Sequence, residues 1–344
     1  MGAHDALLDV IVVGGGLAGT TLAWHLKRSG YAVMLVGDGA PGASQAAAGL
    51  ITPVTGKALR AEPDYARLLA SACEHYRAVE ASVNSQFLEA QDVRRQLSSA
   101  KERNAWAQQG ALGIPYTDTT DVNDQITLRC AYRLDVRRYL ATSRSAFEAQ
   151  GSFITEHVDD DDLAPSKQYV DLPRLGLRAR HVVFCRGAAE RDSTLFAGLT
   201  WRCAKGEVLR VTAAQPMPAY RLHGNGIWLS PLDERSYLLG ATYSWDVLDN
   251  KTTAEAKDIL LKKATQLVPA SLRVVEQFAG VRPIVAGRRP VAGAARQHDR
   301  LHVLNGLGSK GALLAPFVAR CVAGQLFGDT PIPRRYAWRT RGAA

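Results

Sequence analysis

The sequence predicts an α/β protein built of two intergrown domains, one around a parallel sheet and one around an antiparallel sheet. Three observations support this fold class. Near the N-terminus, an apolar run at residues 10–13 leads into a glycine loop and then a helical pattern. Residues 201–250 have the β-rich, hairpin-like spacing of an antiparallel sheet. Residues 301–326 repeat the order of strand, glycine loop and helix, and 344 residues exceed a typical single domain.

The first glycine loop predicts a Rossmann-like nucleotide-binding unit. Gly14, Gly16 and Gly19 have G-x-G-x-x-G spacing, directly after the strand and before the helix. In such a unit the glycines allow a tight turn, close backbone approach to a diphosphate, and close packing of helix on strand. The free N–H groups of the helix N-terminus favour the anion. We therefore predict dinucleotide binding, with a ligand-free strand–helix turn as the alternative.

The second strand, at residues 31–36, should end in an acid that binds the ribose hydroxyls. Gly37 fills the expected position, and Asp38 follows it. Either Asp38 reaches the ribose from a shifted position, or that contact is absent. Residues 39–60 are rich in small side chains, so we expect them to lie against a large planar ligand rather than form a flexible loop.

The middle of the chain alternates helical and strand patterns. A helix should begin near residue 64, and a second, capped by Asp135, should end near Gly151 and lead into a strand at residues 152–158. The acidic run at residues 159–162 is expected to be a solvated turn. Short strands and turns are expected at residues 87–128, a buried strand ends at Gly187, and a helix near 254–268 follows the antiparallel segment.

The C-terminal part carries the second glycine loop. A strand at residues 301–305 leads into Gly306, Gly308 and Gly311, and then a helix with Pro316 in its first turns, where proline is tolerated. Two such loops at opposite ends of one chain suit a cofactor too long for one site. The predicted division is a discontinuous nucleotide-binding domain of 1–60, 129–200 and 281–330, a substrate domain of 61–128 and 201–280, and a basic tail of 331–344.

Composition narrows the functional classes. The net charge of +9 and the pI near 9.4 fit a solvated basic surface that helps to hold an anionic cofactor, or a nucleic-acid-binding surface. The five cysteines are scattered without C-x-x-C spacing, so we expect neither a metal site nor a disulfide framework. With no membrane span and no signal peptide expected, the predicted location is the cytoplasm.

Six segments, in order along nearly the whole chain, resemble the FAD-dependent D-amino acid oxidase superfamily, which includes glycine oxidase and sarcosine oxidase. The segments are residues 14–19, 43–49, 134–140, 240–243, 280–283 and 305–316. The last is most similar to the oxidase domain of the bifunctional enzyme that matures carboxymethylaminomethyl-uridine at the tRNA wobble position. The methyltransferase half of that enzyme has no counterpart in this sequence.

The resemblance implies noncovalent FAD and oxidation of the C–N bond of a small amine or amino acid, of the glycine, sarcosine or D-amino acid type. Hydride transfer to the flavin would give an imine, which water hydrolyses. The implied cofactor-binding residues are Gly14, Gly16, Leu17, Ala18, Gly19, Asp38, Ser44, Ala47, Ala48, Gly49, Leu50, Val158, Gly187, Gly308, Ser309, Lys310 and Gly311. Among them, Val158 corresponds to a valine whose backbone meets the adenine.

Three residues are candidates for the chemistry. By resemblance, Arg282 matches the arginine before proline that binds a substrate carboxylate, a task suited to the planar guanidinium fork. A structural arginine in a β turn is the alternative. Tyr243 could line the same pocket or belong to the core. Lys310 could add positive charge beside the reduced flavin ring or be an exposed lysine.

The sequence also departs from the family. Gly37 replaces the ribose-binding acid, Ser309 stands where glycine oxidases carry a second arginine, and residues 282–293 lack the cysteine that tethers flavin in sarcosine oxidases. Amino-acid specificity therefore does not transfer. Two alternatives stay open: flavin-dependent removal of a carboxymethyl group from a modified tRNA wobble uridine, and a non-catalytic flavin-binding homologue. The oligomeric state is not predicted.

Overall fold

The computed structural model describes residues 7–56, 59–110, 117–118, 124–328 and 330–338. Within these ranges the helices are α1 Leu17–Arg28, α2 Ala43–Ala46, α3 Tyr65–Val83, α4 Ala100–Gly110, α5 Val136–Ala149, α6 Ala254–Ala264 and α7 Gly311–Phe327. The strands are β1 Leu8–Val13, β2 Val33–Gly37, β3 Leu50–Ile51, β4 Val54–Thr55, β5 Arg60–Ala61, β6 Leu88–Ala90, β7 Val93–Gln96, β8 Thr117–Asp118, β9 Gln125–Leu128, β10 Tyr132–Leu134, β11 Phe153–Thr155, β12 Ala164–Pro165, β13 Val170–Leu172, β14 Leu177–Phe184, β15 Ala204–Ala213, β16 Arg221–Gly224, β17 Ile227–Pro231, β18 Ser236–Gly240, β19 Leu272–Arg282, β20 Val291–Ala294 and β21 Leu301–Asn305.

The first sheet is mainly parallel. Strands β11, β2, β1, β14 and β21 run parallel side by side, while β13, β12 and β20 add antiparallel edges. Residues 10–13 of β1 are buried because α1 and α7 cover one face of the sheet and a second apolar cluster covers the other. The predicted α/β fold with a parallel central sheet is confirmed.

The second sheet has the order β19-β15-β18-β17-β16-β7-β9-β8 and is antiparallel apart from the β7–β16 pair. Helix α6 packs on it through Leu260 and Ala264, against Leu209 and Tyr237 of the strands. The predicted antiparallel sheet is therefore present. Three of its strands, β7, β8 and β9, come from a distant part of the chain. They lie within residues 87–128, where short strands were expected.

Helix α2 joins the two sheets. It lies against β19 so closely that a Cβ at Gly280 would be 2.8 Å from the Cα of Ala43. The short strands β3, β10 and β6 form a separate small sheet. The small-residue segment that follows β2 is thus held between the parallel and antiparallel sheets, where the cavity described below opens.

The predicted domain boundaries stay a prediction. Two segments nevertheless pack differently from what those boundaries imply. Helix α3 falls in the segment assigned to the substrate domain, but its apolar face packs with α1 and α7 in the core of the first sheet. In the predicted basic tail, Ile332 and Tyr336 are buried, and Tyr336 O accepts a hydrogen bond from Ala292 N at 2.8 Å. These apolar side chains fix the segment to the first sheet, while Arg339 and Arg341 lie outside the described residues.

The described part of the chain contains no helix long and apolar enough to cross a membrane. Across the same residues, His, Cys, Asp and Glu side chains nowhere gather in a group of three or more that could hold a metal ion.

Candidate functional site

A cavity of about 1130 Å³ lies between the two sheets, beyond the carboxyl ends of β1 and β2. This exceeds the volume of about 300–1,000 Å³ that holds most drug-sized ligands, so a long cofactor and a small substrate can share it. Its wall includes every residue of the predicted cofactor set except Gly19 and Lys310. Arg282 and Tyr243 also line it.

The first glycine loop brings α1 close to the strands. A Cβ at Gly19 would lie 2.0 Å from Gly14 O, and one at Gly14 would lie 2.4 Å from Cys185 O. Gly16 immediately precedes α1, whose first turn carries no acidic residue, and the backbone N–H of Leu17 donates to Ser44 Oγ at 3.0 Å. The helix end therefore presents backbone donors and no competing negative charge to the cavity, as an FAD diphosphate requires.

The end of β2 explains the missing acid. A Cβ at Gly37 would lie 2.9 Å from Gly15 N, so a side chain there would force the loop to shift. The carboxylate of Asp38 accepts from Ala40 N at 2.9 Å and faces His157 Nδ1 at 3.4 Å. The hydrogen bond between His157 and Asp159, and then that to Asp38, raises the pKa of His157. The ribose contact of Asp38 stays a prediction.

Beside the predicted adenine contact lies a partly buried ion-pair network. Arg186 donates to Val158 O at 3.1 Å and pairs with Asp160 at 2.6 Å and with the buried Glu190 at 2.7 Å. The prediction that residues 159–162 form a solvated turn is therefore wrong for Asp160, whose side chain is only 14% exposed. Its carboxylate faces inward because it neutralises Arg186 and accepts from Ser193 Oγ at 2.8 Å.

The second glycine loop connects the cofactor wall to the substrate wall. Gly308 has φ 54° and donates its N–H to Pro283 O at 3.0 Å, beside Arg282. Gly308, Ser309 and Gly311 line the cavity. The ammonium of Lys310 instead pairs with Glu62, so its charge is neutralised outside the cavity wall. The proposed charge of Lys310 beside the flavin has no support in this geometry.

Arg282 places a partly buried cation at the cavity wall. Its Nη1 donates to Lys205 O at 3.2 Å and to Thr242 O at 3.3 Å, and its Cζ lies 4.6 Å from the ring centre of Tyr243. Among the described residues, no carboxylate is within ion-pair distance of this guanidinium. Burial lowers the pKa of Arg282 from its ordinary value. The cavity thus offers a desolvated cation that an anionic ligand can neutralise.

Two neighbours that the sequence did not identify, Gly206 and Lys205, keep Arg282 in place. A Cβ at Gly206 would lie 2.0 Å from Arg282 Nη2, so the guanidinium rests directly on strand β15. Lys205, whose carbonyl oxygen accepts from Arg282, has its ammonium 2.6 Å from Asp249 and 3.8 Å from Glu207. A glycine inside a strand pattern signals such a close approach, and Gly206 could have been found in this way.

Two further cavity residues had no sequence signal, because long-range packing brings them there. Trp228 lies over Gly240, where a Cβ would be 2.5 Å from its ring. Asn250 Nδ2 donates to Pro41 O at 2.7 Å, and its Oδ1 accepts from Val281 N at 3.3 Å. Asn250 thereby joins the small-residue segment after β2 to the substrate side of the cavity.

Comparison with known proteins gives results that agree with this site. Residues 9–325 match the family described as FAD dependent oxidoreductase. The chain is 28% identical to a putative thiamine biosynthesis oxidoreductase ThiO of Rhizobium etli, over 96% of this chain and 100% of that protein. It is 28% identical to the tRNA 5-methylaminomethyl-2-thiouridine biosynthesis bifunctional protein MnmC of Maricaulis maris, over 94% of this chain but 52% of that protein. Glycine oxidase from Geobacillus kaustophilus has the same fold, with TM-score 0.78, 20% identity, and coverage of 95% of this chain and 98% of that one.

Proposed function

Because this chain belongs to the family of FAD-dependent oxidoreductases, we propose that it oxidises the C–N bond of a small amine or amino acid that carries a carboxylate. Membership confirms the predictions of an oxidoreductase of the D-amino acid oxidase type and of FAD as its cofactor. The absence of a cysteine from residues 282–293 supports noncovalent attachment. The substrate, the roles of individual residues and a cytoplasmic location remain proposals.

The observation that carries the substrate proposal is the environment of Arg282. A guanidinium fork can bind a carboxylate through two parallel hydrogen bonds, and partial burial strengthens that contact. Arg282 lines the cavity and has only backbone carbonyls and the Tyr243 ring as partners among the described residues. The carboxylate would fix one end of the substrate, so that the amine carbon has a defined position in the cavity.

Bound FAD supplies the electron acceptor for this chemistry. The amine would lose two electrons and two protons, one from carbon and one from nitrogen, to become an imine, which water hydrolyses to a carbonyl compound and ammonia or the released amine. Arg282 binds and orients the substrate, and the backbone donors of α1 and of the second glycine loop hold the cofactor. Neither task requires a catalytic triad or a paired carboxylate.

The test compares each carboxylated amine with its decarboxylated counterpart: glycine with methylamine, sarcosine with dimethylamine, and D-alanine with ethylamine. Loss of the flavin absorbance at about 450 nm under anaerobic conditions reports electron transfer from the amine to the flavin. We expect the carboxylated member to react faster, and Arg282→Met to lower its kcat/KM by about 100-fold or more. The exposed Arg202, replaced in Arg202→Met, is the control.

Equal rates for both members of each pair, or an unchanged Arg282→Met protein, would contradict carboxylate binding by Arg282. Bound flavin that none of these amines reduces would instead favour the non-catalytic homologue.

A second candidate function is removal of a carboxymethyl group from a modified tRNA wobble uridine. It is supported by the match to about half of MnmC, and by the exposed Arg288 and Arg289, which have no acidic partner within the described ranges. Phosphate contacts weaken steeply with salt. A tRNA complex that forms at low salt and dissociates at high salt would support this function, and no complex at low salt would contradict it.

A further inference from the structure

Large exposed apolar side chains cluster at the rim of the cavity. Tyr243 is 43% exposed, and Trp245 and Val247 are each 58% exposed. Tyr243 lines the cavity, whereas Trp245 lies outside its wall, with the two ring centres 4.9 Å apart and tilted by 51°. Exposed apolar groups that are contiguous beside a cavity commonly mark a binding surface. We name Tyr243 and Trp245 the aromatic pair.

The backbone that carries the aromatic pair is anchored to strand β15. Ser244 N donates to Lys205 O at 3.0 Å, and Lys205 Nζ pairs with Asp249 at 2.6 Å. Farther along, the carboxylate of Glu207 accepts from Thr253 N at 2.8 Å and from Thr253 Oγ1 at 2.9 Å. Residues 244–253 are thus held at both ends by side chains or backbone of one buried strand. The aromatic rings therefore have a defined position, as a recognition site requires.

The aromatic pair is continuous with the carboxylate site. The Tyr243 ring lies 4.6 Å from the guanidinium carbon of Arg282, and Trp245 extends the aromatic surface outward from there. A ligand whose carboxylate reaches Arg282 would bring a neighbouring substituent onto these rings. Because Trp245 is more than half exposed, part of its indole face is free to stack.

We propose that the aromatic pair selects substrates that carry a planar ring within a few bonds of the reacting amine. This inference rests on the proposed function, since it needs the carboxylate on Arg282. The ring could be a side chain on the α-carbon or a substituent on the nitrogen, and both present the same planar face. Aromatic stacking would favour such a ring over a saturated ring of similar size by about 3- to 10-fold in affinity.

The first experiment titrates the FAD-loaded protein with acetate, cyclohexylacetate and phenylacetate, and follows the perturbation of the flavin spectrum. We expect phenylacetate to bind about 3- to 10-fold more tightly than cyclohexylacetate. Trp245→Leu retains an apolar side chain without the outer ring and should lower that preference, and the double variant Tyr243→Leu, Trp245→Leu, which removes both rings, should abolish it. Val247→Ala, which removes an equally exposed apolar group from the same segment, should retain it.

Turnover then distinguishes the two positions of the ring. N-benzylglycine is compared with N-(cyclohexylmethyl)glycine, and D-phenylalanine with D-cyclohexylalanine. A preference for the planar member of either pair that is lowered in Trp245→Leu and lost in the double variant supports the proposal and identifies the position. Equal kcat/KM within both pairs, or a preference that persists in the double variant, overturns it.

The outcome also separates this inference from the proposed function. If acetate binds in an Arg282-dependent manner without a ring preference, carboxylate recognition holds and the aromatic pair has no selective role. If no carboxylate perturbs the flavin spectrum, the proposed function fails, and the inference fails with it.

Discussion

The two ends of the cavity are built in different ways. At the cofactor end, the wall is formed by closely packed backbone, such as Gly14 against Cys185 and Gly19 against Gly14. At the substrate end, side chains form it: Arg282 on β19 and Tyr243 in the segment that Lys205 anchors. Backbone contacts tolerate no added Cβ, whereas side chains can be exchanged on an unchanged strand. Because of this difference, proteins that share one cofactor site can differ in the substrates that they bind.

The largest effect is expected from Gly19→Ala, which tests the backbone end. The new Cβ would lie 2.0 Å from Gly14 O, so α1 would move away from the glycine loop. We expect the purified protein to lose nearly all of its FAD, measured as flavin absorbance per protein. Gly198→Ala is the control, because its Cβ would meet Trp338 at an ordinary 3.5 Å. Full FAD content in Gly19→Ala would refute the backbone description.

Gly206→Ala tests the substrate end without removing any charged group. Its Cβ would displace the guanidinium of Arg282, which lies 2.0 Å from that position. We expect the dissociation constant for acetate to rise by about 10-fold or more, while FAD content stays unchanged. Spectral titration measures both. Loss of FAD with unchanged acetate affinity would contradict the assignment of Gly206 to the substrate end.

Lys205→Met should have a smaller effect on the same end. Removing the ammonium leaves the carboxylates of Asp249 and Glu207 without their cation, so the free energy of unfolding should fall. Urea unfolding measures this loss, and acetate affinity should fall with it. Lys167→Met is the control, since that exposed lysine has no acidic partner among the described residues. If both variants have the same unfolding free energy and the same acetate affinity, the ion pairs of Lys205 do not support the substrate site.

His157 should show the smallest effect, at a place where the cofactor end also depends on side chains. Its pKa is raised above the ordinary 6.5, chiefly by hydrogen bonding to Asp159 and then to Asp38. The protonated form therefore stabilises the folded protein at low pH, and this contribution is lost as pH rises through the raised pKa. His157 also lines the cavity, so the loss of its positive charge from pH 6 to pH 8.5 should weaken the affinity for FAD, by only about twofold because the pair is exposed. His157→Gln should remove this dependence, and an unchanged pH profile would contradict the contact.

Sequence patterns predicted what is local, and failed where distant segments meet. The strand–glycine–helix order at Gly14 and Gly308 follows from residues adjacent in the chain, and Arg282 was found through its resemblance to a family motif. The inward position of Asp160 depends on Arg186, which lies far along the chain. Likewise, the role of Gly206 depends on the pairing of β15 with β19, which periodicity does not specify.

The most direct test of the separation between the two ends is a double measurement on Arg282→Met. FAD content and the spectral response to acetate are recorded on the same preparation, beside the unaltered protein. We expect FAD content to be unchanged and the acetate response to be lost. A variant that loses FAD and the acetate response together would show that one structure serves both ends, and would contradict the separation.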